Sequence, residues 1–234
     1  MENEFVLIID FGSQVTQLIA RRLRELNVYC EIHPFNRVNN EFLKKINPKA
    51  IILSGGPASV LNDNAPKPPS SIYDLKVPIL GICYGQQIMM QMLGGSVISG
   101  SGTSEFGKSY VKLNNKSKNI KLLEGLFLKK GKEEVWMSHG DHVATIPKDF
   151  EVYGVSENAP FAIIGNENKH FYGVQFHPEV FHTLNGKVLI KNFLKLSNFS
   201  FNWSMQSYLQ QSVGEIKKKV GNKKVICALS GGVD

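Results

Sequence analysis

Residues 77–93, VPILGICYGQQIMMQML, join two different patterns of hydrophobic residues. The apolar run at 77–82 is typical of a buried strand, whereas residues 86–93 are spaced as the buried part of a helix. Between them, the pentapeptide GICYG at 81–85 places Cys83 between two glycines where the strand gives way to the helix. This arrangement has the form of a nucleophile elbow, a strained turn that presents a reactive side chain.

Strands and helices alternate on the N-terminal side of this stretch. Short apolar runs occupy residues 5–10 (FVLIID), 28–33 and 50–53 (AIIL), and residues 15–26 have helical spacing. Strands that alternate with helices favour a parallel arrangement. We therefore predict an α/β fold with a mostly parallel central sheet covered by helices.

The pattern changes after residue 94. Alternating or short segments up to residue 170 indicate an antiparallel β insertion, before an apolar strand at 172–176 and an amphipathic helix at 186–196. We predict one domain over residues 1–197. Residues 198–234 are predicted to be a linker followed by the truncated start of a second domain. This second part contains a helix at 204–219 and a buried strand at 225–229 (VICAL).

Composition favours a folded protein of the cytoplasm. The 234 residues are 42% hydrophobic and 20% charged, and no apolar run approaches the roughly 18 residues needed to span a bilayer. The acidic start MENE is unlike a secretory signal. The three cysteines lie far apart without a C-x-x-C pair, so neither a disulfide framework nor a cysteine zinc site is predicted.

The basic character of the chain is partly local. Of a formal net charge of +7, five lysines fall within residues 216–224. Basic residues interleaved with aromatic residues, as in single-strand binders, do not occur, so we do not predict nucleic-acid binding. His139 and His142 have the spacing of two metal ligands but lack a third, so we predict no metal site.

Three residues have the properties of a catalytic triad. A cysteine at a helix N-terminus is favoured as a thiolate, which is the nucleophilic form. A thiolate nucleophile needs a base, and the base needs an orienting acceptor; His177 and Glu179 of FHPE supply both. The alternative is that Cys83 is a buried structural cysteine and His177 a structural histidine.

Backbone donors for an oxyanion are available near the proposed nucleophile. The stretch SGGP at 54–57 follows the strand AIIL directly, and its glycines leave the N–H groups unobstructed. The N–H of Tyr84 lies one residue beyond Cys83. The alternative for SGGP is an ordinary turn.

Together, GICYGQQ around Cys83 and FHPEV around His177 resemble the class I glutamine amidotransferases. The resemblance covers about residues 5–197 and implies a flavodoxin-like arrangement of the sheet. Four further stretches narrow it: IDFGSQ (9–14), SGGPASV (54–60), WMSHGD (136–141) and HPEVFHT (177–183).

This resemblance implies a role for each matching residue. Cys83 is the nucleophile, His177 the base and acid, and Glu179 its orienter. Gly56 and Tyr84 donate to the oxyanion. The residues implied to hold L-glutamine are Gln87, Ser138, Gly140 and Asp141. The implied reaction converts glutamine to glutamate and ammonia without a cofactor.

The end of the chain carries a second resemblance. LSGGVD at 229–234 is similar to the start of the pyrophosphate loop of ATP pyrophosphatase domains. The resemblance implies that a truncated ATP-binding loop lies at Ser230, Gly231, Gly232, Val233 and Asp234. It also implies a missing synthetase domain that uses ATP and Mg²⁺ to aminate xanthosine monophosphate (XMP).

Two other functions are compatible with parts of the sequence. The chain could be an amidotransferase domain of another biosynthetic pathway, although WMSHGD and the SGGVD ending argue against this. It could instead be a catalytically silent module that docks on a synthetase and regulates it. The intact set of Cys83, His177 and Glu179 argues against a silent module.

Overall fold

A computed structural model of the chain describes residues 4–100, 102, 104–114, 117, 119–127 and 131–227. The strands over these residues are β1 (Phe5–Asp10), β2 (Tyr29–Pro34), β3 (Ala50–Leu53), β4 (Ile79–Ile82), β5 (Ser96–Ser99), β6 (Glu105–Leu113), β7 (Lys132–His139), β8 (Asp141–Thr145), β9 (Glu151–Val155), β10 (Ile163–Asn166) and β11 (Phe171–Val174). The α-helices are α1 (Thr16–Glu25), α2 (Asn40–Lys45), α3 (Tyr84–Met92), α4 (Gly186–Leu196) and α5 (Met205–Val220).

The central sheet has nine strands in the order β2-β1-β3-β4-β11-β10-β9-β6-β7. Its first five strands are parallel to one another. The order of these five is that of flavodoxin-like folds, in which the chain winds outward in both directions from the first strand. The predicted α/β fold with a mostly parallel sheet is therefore confirmed.

The antiparallel region has two parts. Strands β10, β9, β6 and β7 continue the central sheet in antiparallel pairs, while β5 and β8 form a separate two-stranded sheet. Most of the predicted insertion thus extends the central sheet, because β10 pairs with the edge of β11 that faces away from β4.

Helices cover both faces of the parallel strands. Along β1, Val6 and Ile8 belong to one hydrophobic cluster, while Leu7 and Ile9 belong to another. Because side chains alternate across a strand, the two clusters lie on opposite faces of the sheet. Helices α1 and α4 contribute to the first cluster, and α2 and α3 contribute to the second.

The order of the strands places Cys83, which follows β4, between the segments that follow β3 and β11. Strand β4 pairs with β3 on one side and with β11 on the other, all three parallel. Their carboxyl ends therefore meet at one edge, where open α/β sheets bind their ligands. The distant end of β7 is also brought there, because the His177 N–H donates to the Trp136 carbonyl oxygen at 3.0 Å.

The C-terminal segment differs partly from the prediction. The expected helix at 204–219 is present as α5, and Ser204 caps it by accepting from the Ser207 N–H. The expected buried strand is wrong for residues 225–227, which are irregular, with Val225 66% and Ile226 97% exposed. A strand needs neighbours for its hydrogen bonds, and no described strand pairs with these residues. Residues 228 and 229 lie outside the described residues.

Gly85 permits the close packing of α3 against β3. A Cβ atom on Gly85 would lie 2.2 Å from the Leu53 carbonyl oxygen, well inside contact distance. We expect Gly85→Ala to lower the free energy of unfolding by about 3 kcal/mol, because α3 and β3 must move apart to make room for the added methyl group. Urea denaturation measures the loss. Gly214→Ala is the matched control, because a Cβ atom there meets nothing within 4 Å; an equal loss in both variants would contradict the steric explanation.

Candidate functional site

Cys83 occupies the strained turn that the sequence predicts. Its backbone has φ 51° and ψ −108°, a region that residues other than glycine rarely adopt. The Cys83 N–H donates to the Val174 carbonyl oxygen at 2.8 Å, and the Cys83 carbonyl oxygen accepts from the N–H groups of Gln86 and Gln87. The elbow is thus fixed to β11 on one side and to the first turn of α3 on the other.

His177 lies between Cys83 and Glu179. Its Nδ1 is 2.8 Å from Oε1 of Glu179, and Cys83 lies near enough to influence its ring. Burial disfavours the imidazolium, but hydrogen bonds and charge interactions with Cys83 and Glu179 outweigh it. The pKa of His177 is therefore raised well above its ordinary value. A protonated His177 beside Cys83 suits nucleophilic chemistry at that sulfur.

Glu179 is fully buried behind His177. Its Oε2 has no hydrogen-bond partner among the described residues, so His177 is the partner that the structure gives to this carboxylate. The peptide unit of Glu179 is anchored separately, because Arg22 Nε donates to its carbonyl oxygen at 3.0 Å. Backbone and side chain are thus both held, which restricts rotation of the His177 ring.

The structure brings the remaining candidate residues of the first domain together with Cys83. They line one cavity of about 360 Å³ at the carboxyl edge of the sheet. The predicted residues among its walls are Gly56, Tyr84, Gln87, Ser138, Gly140 and Asp141. The N–H of Tyr84 begins α3, where helix donors lack partners within the helix. This N–H is therefore free to donate a hydrogen bond to a carbonyl group bound against Cys83.

Gln87 braces the wall of this cavity as well as lining it. Its Nε2 donates to the Asp141 carbonyl oxygen at 2.7 Å and to Gln175 Oε1 at 3.3 Å, which uses both amide hydrogens. The side chain of Asp141 accepts a hydrogen bond from the Ser59 hydroxyl. The 138–141 turn is thus tied to α3 and to the loop after β3.

Sequence reasoning missed the buried histidine–glutamate contact that supports this turn. His139 Nδ1 faces the Asp141 carbonyl oxygen at 3.0 Å, and its Nε2 faces Glu105 Oε2 at 3.3 Å. The His139 ring thus bridges the turn and the Glu105 carboxyl group. Burial opposes ionisation of Glu105, but hydrogen bonds from His139, Ser156 and Ser109 lower the pKa of its carboxyl group. The buried pair of His139 and Glu105 therefore holds the turn in place.

Gln175 was also missed, although it contacts Cys83. Its Nε2 lies 3.7 Å from Cys83 Sγ, within reach of a weak N–H···S hydrogen bond. Gln175 precedes His177 by two residues, and the alternation of an extended chain could have indicated that both point to one side.

The other site predictions have different outcomes. Residues 230–234, the predicted ATP-binding loop, lie outside the described residues. Across the described part of the chain, His, Cys, Asp and Glu side chains form no group of three or more that could hold a metal ion. In the same part, none of the helices has the length and apolar character required to cross a membrane.

Sequence relatives match the full chain. It is 60% identical over 233 residues to GMP synthase (glutamine-hydrolyzing) of Dinoroseobacter shibae, and 60% identical over 232 residues to the same-named protein of a Ruegeria species. These alignments cover 100% and 99% of this chain but 44% of each relative. The chain thus spans less than half the length of the curated relatives it matches.

Two solved structures share the fold. A protein of Thermoplasma acidophilum described as a GMP synthase subunit superposes with a TM-score of 0.72 at 27% identity, covering 93% of this chain and 99% of that one. A glutamine amidotransferase of Thermotoga maritima shares the fold, with a TM-score of 0.60, 21% identity and 94% of each chain covered. The family description "Glutamine amidotransferase class-I" matches residues 7–196. With the elbow, the histidine–carboxylate pair and this match in agreement, the chain belongs to the class I glutamine amidotransferases.

Proposed function

We propose that this chain is the glutaminase part of a GMP synthase and hydrolyses L-glutamine to glutamate and ammonia. The observation that carries the proposal is the assembly of Cys83, His177 and Glu179 beside a cavity with polar walls. Asp141 offers a negative charge for the substrate ammonium group, and Gln87 and Ser138 offer polar contacts. The names of the 60% identical relatives support the same reaction.

The first half of the reaction forms a thioester. The Cys83 thiolate attacks the side-chain carboxamide carbon, and the N–H groups of Gly56 and Tyr84 stabilise the oxyanion. The His177 imidazolium gives its proton to the amide nitrogen as the C–N bond breaks, which releases ammonia. Glu179 orients the ring and stabilises its charge throughout this step.

The second half returns the enzyme to its starting state. Neutral His177 takes a proton from a water molecule, and the resulting hydroxide attacks the thioester carbon. The C–S bond breaks, glutamate leaves, and the thiolate and imidazolium are restored. No cofactor is needed for either half of this scheme.

The remainder of the proposal concerns a longer protein. Ammonia would be used by a synthetase domain that aminates XMP to GMP with ATP and Mg²⁺. Residues 1–197 would be the glutaminase domain, and residues 198–234 the link to the synthetase. The pyrophosphate loop at residues 230–234 would belong to that second domain. The 44% coverage of the curated relatives supports the existence of further chain.

Incubation of the chain with glutamine tests the proposed reaction. We expect slow release of glutamate and ammonia in equal amounts, measured by coupled assays, because the triad is assembled without further protein. Asparagine, one methylene shorter, is the control substrate and should be poorly hydrolysed because its carboxamide cannot reach Cys83. Glutamate release no faster than in buffer would favour the silent docking module.

A further inference from the structure

The two glycines that follow β3 leave the peptide unit between them without a preferred orientation. Gly55 and Gly56 flank this unit, and glycine populates positive and negative φ about equally. Larger residues do not fit at either position. A Cβ atom on Gly55 would lie 3.0 Å from His177 Cε1. A Cβ atom on Gly56 would lie 2.9 Å from the Phe11 carbonyl oxygen. The unit must therefore be held by a group outside its own backbone.

The orientation of this unit decides whether it stabilises or opposes an oxyanion. The Gly55 carbonyl oxygen and the Gly56 N–H belong to one planar trans unit and point in opposite directions. Gly56 lines the cavity beside Cys83, and among the described residues no hydrogen bond occupies its N–H. If the unit turned over, a carbonyl oxygen would face the cavity instead, and its partial negative charge would repel the oxyanion. Only one of the two orientations therefore supports the reaction.

The hydroxyl group of Ser54 holds the carbonyl end of the unit. Ser54 is fully buried, and its Oγ donates to the Gly55 carbonyl oxygen at 2.7 Å. Ser54 is not among the residues that line the Cys83 cavity, so this bond draws the carbonyl oxygen into the protein. Because the peptide is planar, the Gly56 N–H is then turned the opposite way, toward the cavity that Gly56 lines.

Neighbouring groups direct the Ser54 hydroxyl hydrogen to this bond. The Phe11 N–H donates to Ser54 Oγ at 3.0 Å, which ties the hydroxyl group to the chain after β1. A hydroxyl group has one hydrogen to donate. Its other acceptor, Asp10 Oδ1, lies 3.5 Å away and already accepts from the Thr16 hydroxyl at 2.7 Å. The shorter bond to the Gly55 carbonyl oxygen is therefore favoured.

We propose that Ser54 is a positioning residue for the glutaminase reaction, whose hydroxyl group keeps the Gly56 N–H directed at the oxyanion. Ser54 acts through the 55–56 peptide unit and does not touch the reacting atoms. The inference rests on the proposed glutaminase activity. The two glycines provide the space that His177 and Phe11 require, and Ser54 supplies the rigidity that the glycines lack.

Ser54→Ala tests the inference, because alanine removes the hydroxyl group and keeps the Cβ atom. We expect kcat for glutamine to fall about tenfold, less than the roughly 10²–10³-fold loss that follows removal of an oxyanion donor, since the unit still visits the productive orientation. KM should change little, because the oxyanion forms only after binding.

Ser197→Ala is the matched control for the loss of a buried hydroxyl group. Ser197 is buried at the end of α4, and its Oγ donates to the Phe193 carbonyl oxygen at 2.9 Å. Both substitutions thus remove a serine bond to a backbone carbonyl group, but Ser197 does not line the Cys83 cavity. Ser197→Ala should therefore keep the parent kcat.

Alkylation by iodoacetamide separates a misplaced donor from a damaged site. The Cys83 sulfur displaces iodide at a saturated carbon, so a C–S bond forms without an oxyanion and without help from the Gly56 N–H. The rate of Cys83 alkylation, followed by peptide mass spectrometry, should therefore be the same in Ser54→Ala and the parent. Slowed alkylation together with a raised KM would mean that Ser54 supports the site in general, and would overturn the inference.

A second variant grades the effect. Ser54→Cys replaces the hydroxyl group with a thiol, which is a weaker hydrogen-bond donor. Its kcat should lie between those of the parent and Ser54→Ala. A parent-like kcat in either Ser54 variant would overturn the inference. Absence of glutamate release by the parent itself would instead remove the proposed function.

Discussion

Replacing Cys83 with alanine should reduce glutamate release to less than about one-thousandth of the parent rate while leaving the fold intact. The variant lacks the sulfur that forms the thioester, and no other described thiol lies in the site. Alanine and cysteine both carry a Cβ atom, so the strain at φ 51° is unchanged. Circular dichroism should therefore match the parent. A collapse of the dichroism signal would favour a structural role for Cys83.

Chemical labelling provides an internal control for this result. A glutamine-like electrophile should modify Cys83 first, because it lies beside the His177 imidazolium in an accessible cavity. Burial raises the pKa of Cys30 to about 11, so that thiol should stay unlabelled. Cys227 is exposed but does not line the cavity, so it should be labelled more slowly than Cys83. Labelling of Cys30 or Cys227 with Cys83 spared would contradict the nucleophile assignment.

His177→Ala should cause a near-total loss of glutaminase activity, about 10²–10⁴-fold for the proton transfers alone. Glu179→Gln should cause a smaller loss, because Glu179 orients the ring without touching the reacting atoms. Glutamate formed per minute at saturating glutamine measures both effects. Parent-like activity in either variant would remove that residue from the triad.

The pH profile distinguishes orientation from proton transfer. Glu179 helps to raise the pKa of His177, so its replacement by glutamine should lower that pKa. The imidazolium is then lost at a lower pH than in the parent. We expect the alkaline limb of kcat/KM for Glu179→Gln to move to lower pH, and an unmoved limb would indicate that another group controls it.

The parallel half of the fold was predictable because its strands are short and almost wholly apolar. Residues 5–10 and 50–53 match β1 and β3, and 186–196 matches α4. The proximity of Cys83, His177 and Glu179 was predictable because GICYG and HPE each place these residues at the end of a buried strand. The local sequence pattern was sufficient to predict a site residue wherever that residue directly follows a buried strand.

Long-range contacts explain most of what the sequence did not predict. Glu105 supports His139 from 34 residues away, and Gln175 reaches Cys83 across 92. Hydrophobic periodicity does not identify such pairs, because it reports only the local structure around each residue. The strand expected at 225–229 was wrong over residues 225–227 for a different reason. Its apolar run favours a strand, but formation also depends on a neighbouring strand that sequence pattern cannot supply.

The position of β11 has a consequence for synthesis of the protein. This strand lies between β4 and β10 and joins the parallel half of the sheet to the antiparallel half, yet it is the last of the described strands in the sequence. On the ribosome, the segment containing Cys83 emerges long before His177, so a nascent chain carries a nucleophile without its base. Central strand pairing that must wait for a late segment raises contact order and slows folding. Cys83, His177 and Glu179 can therefore come together only after β11 has been synthesised and has paired with β4.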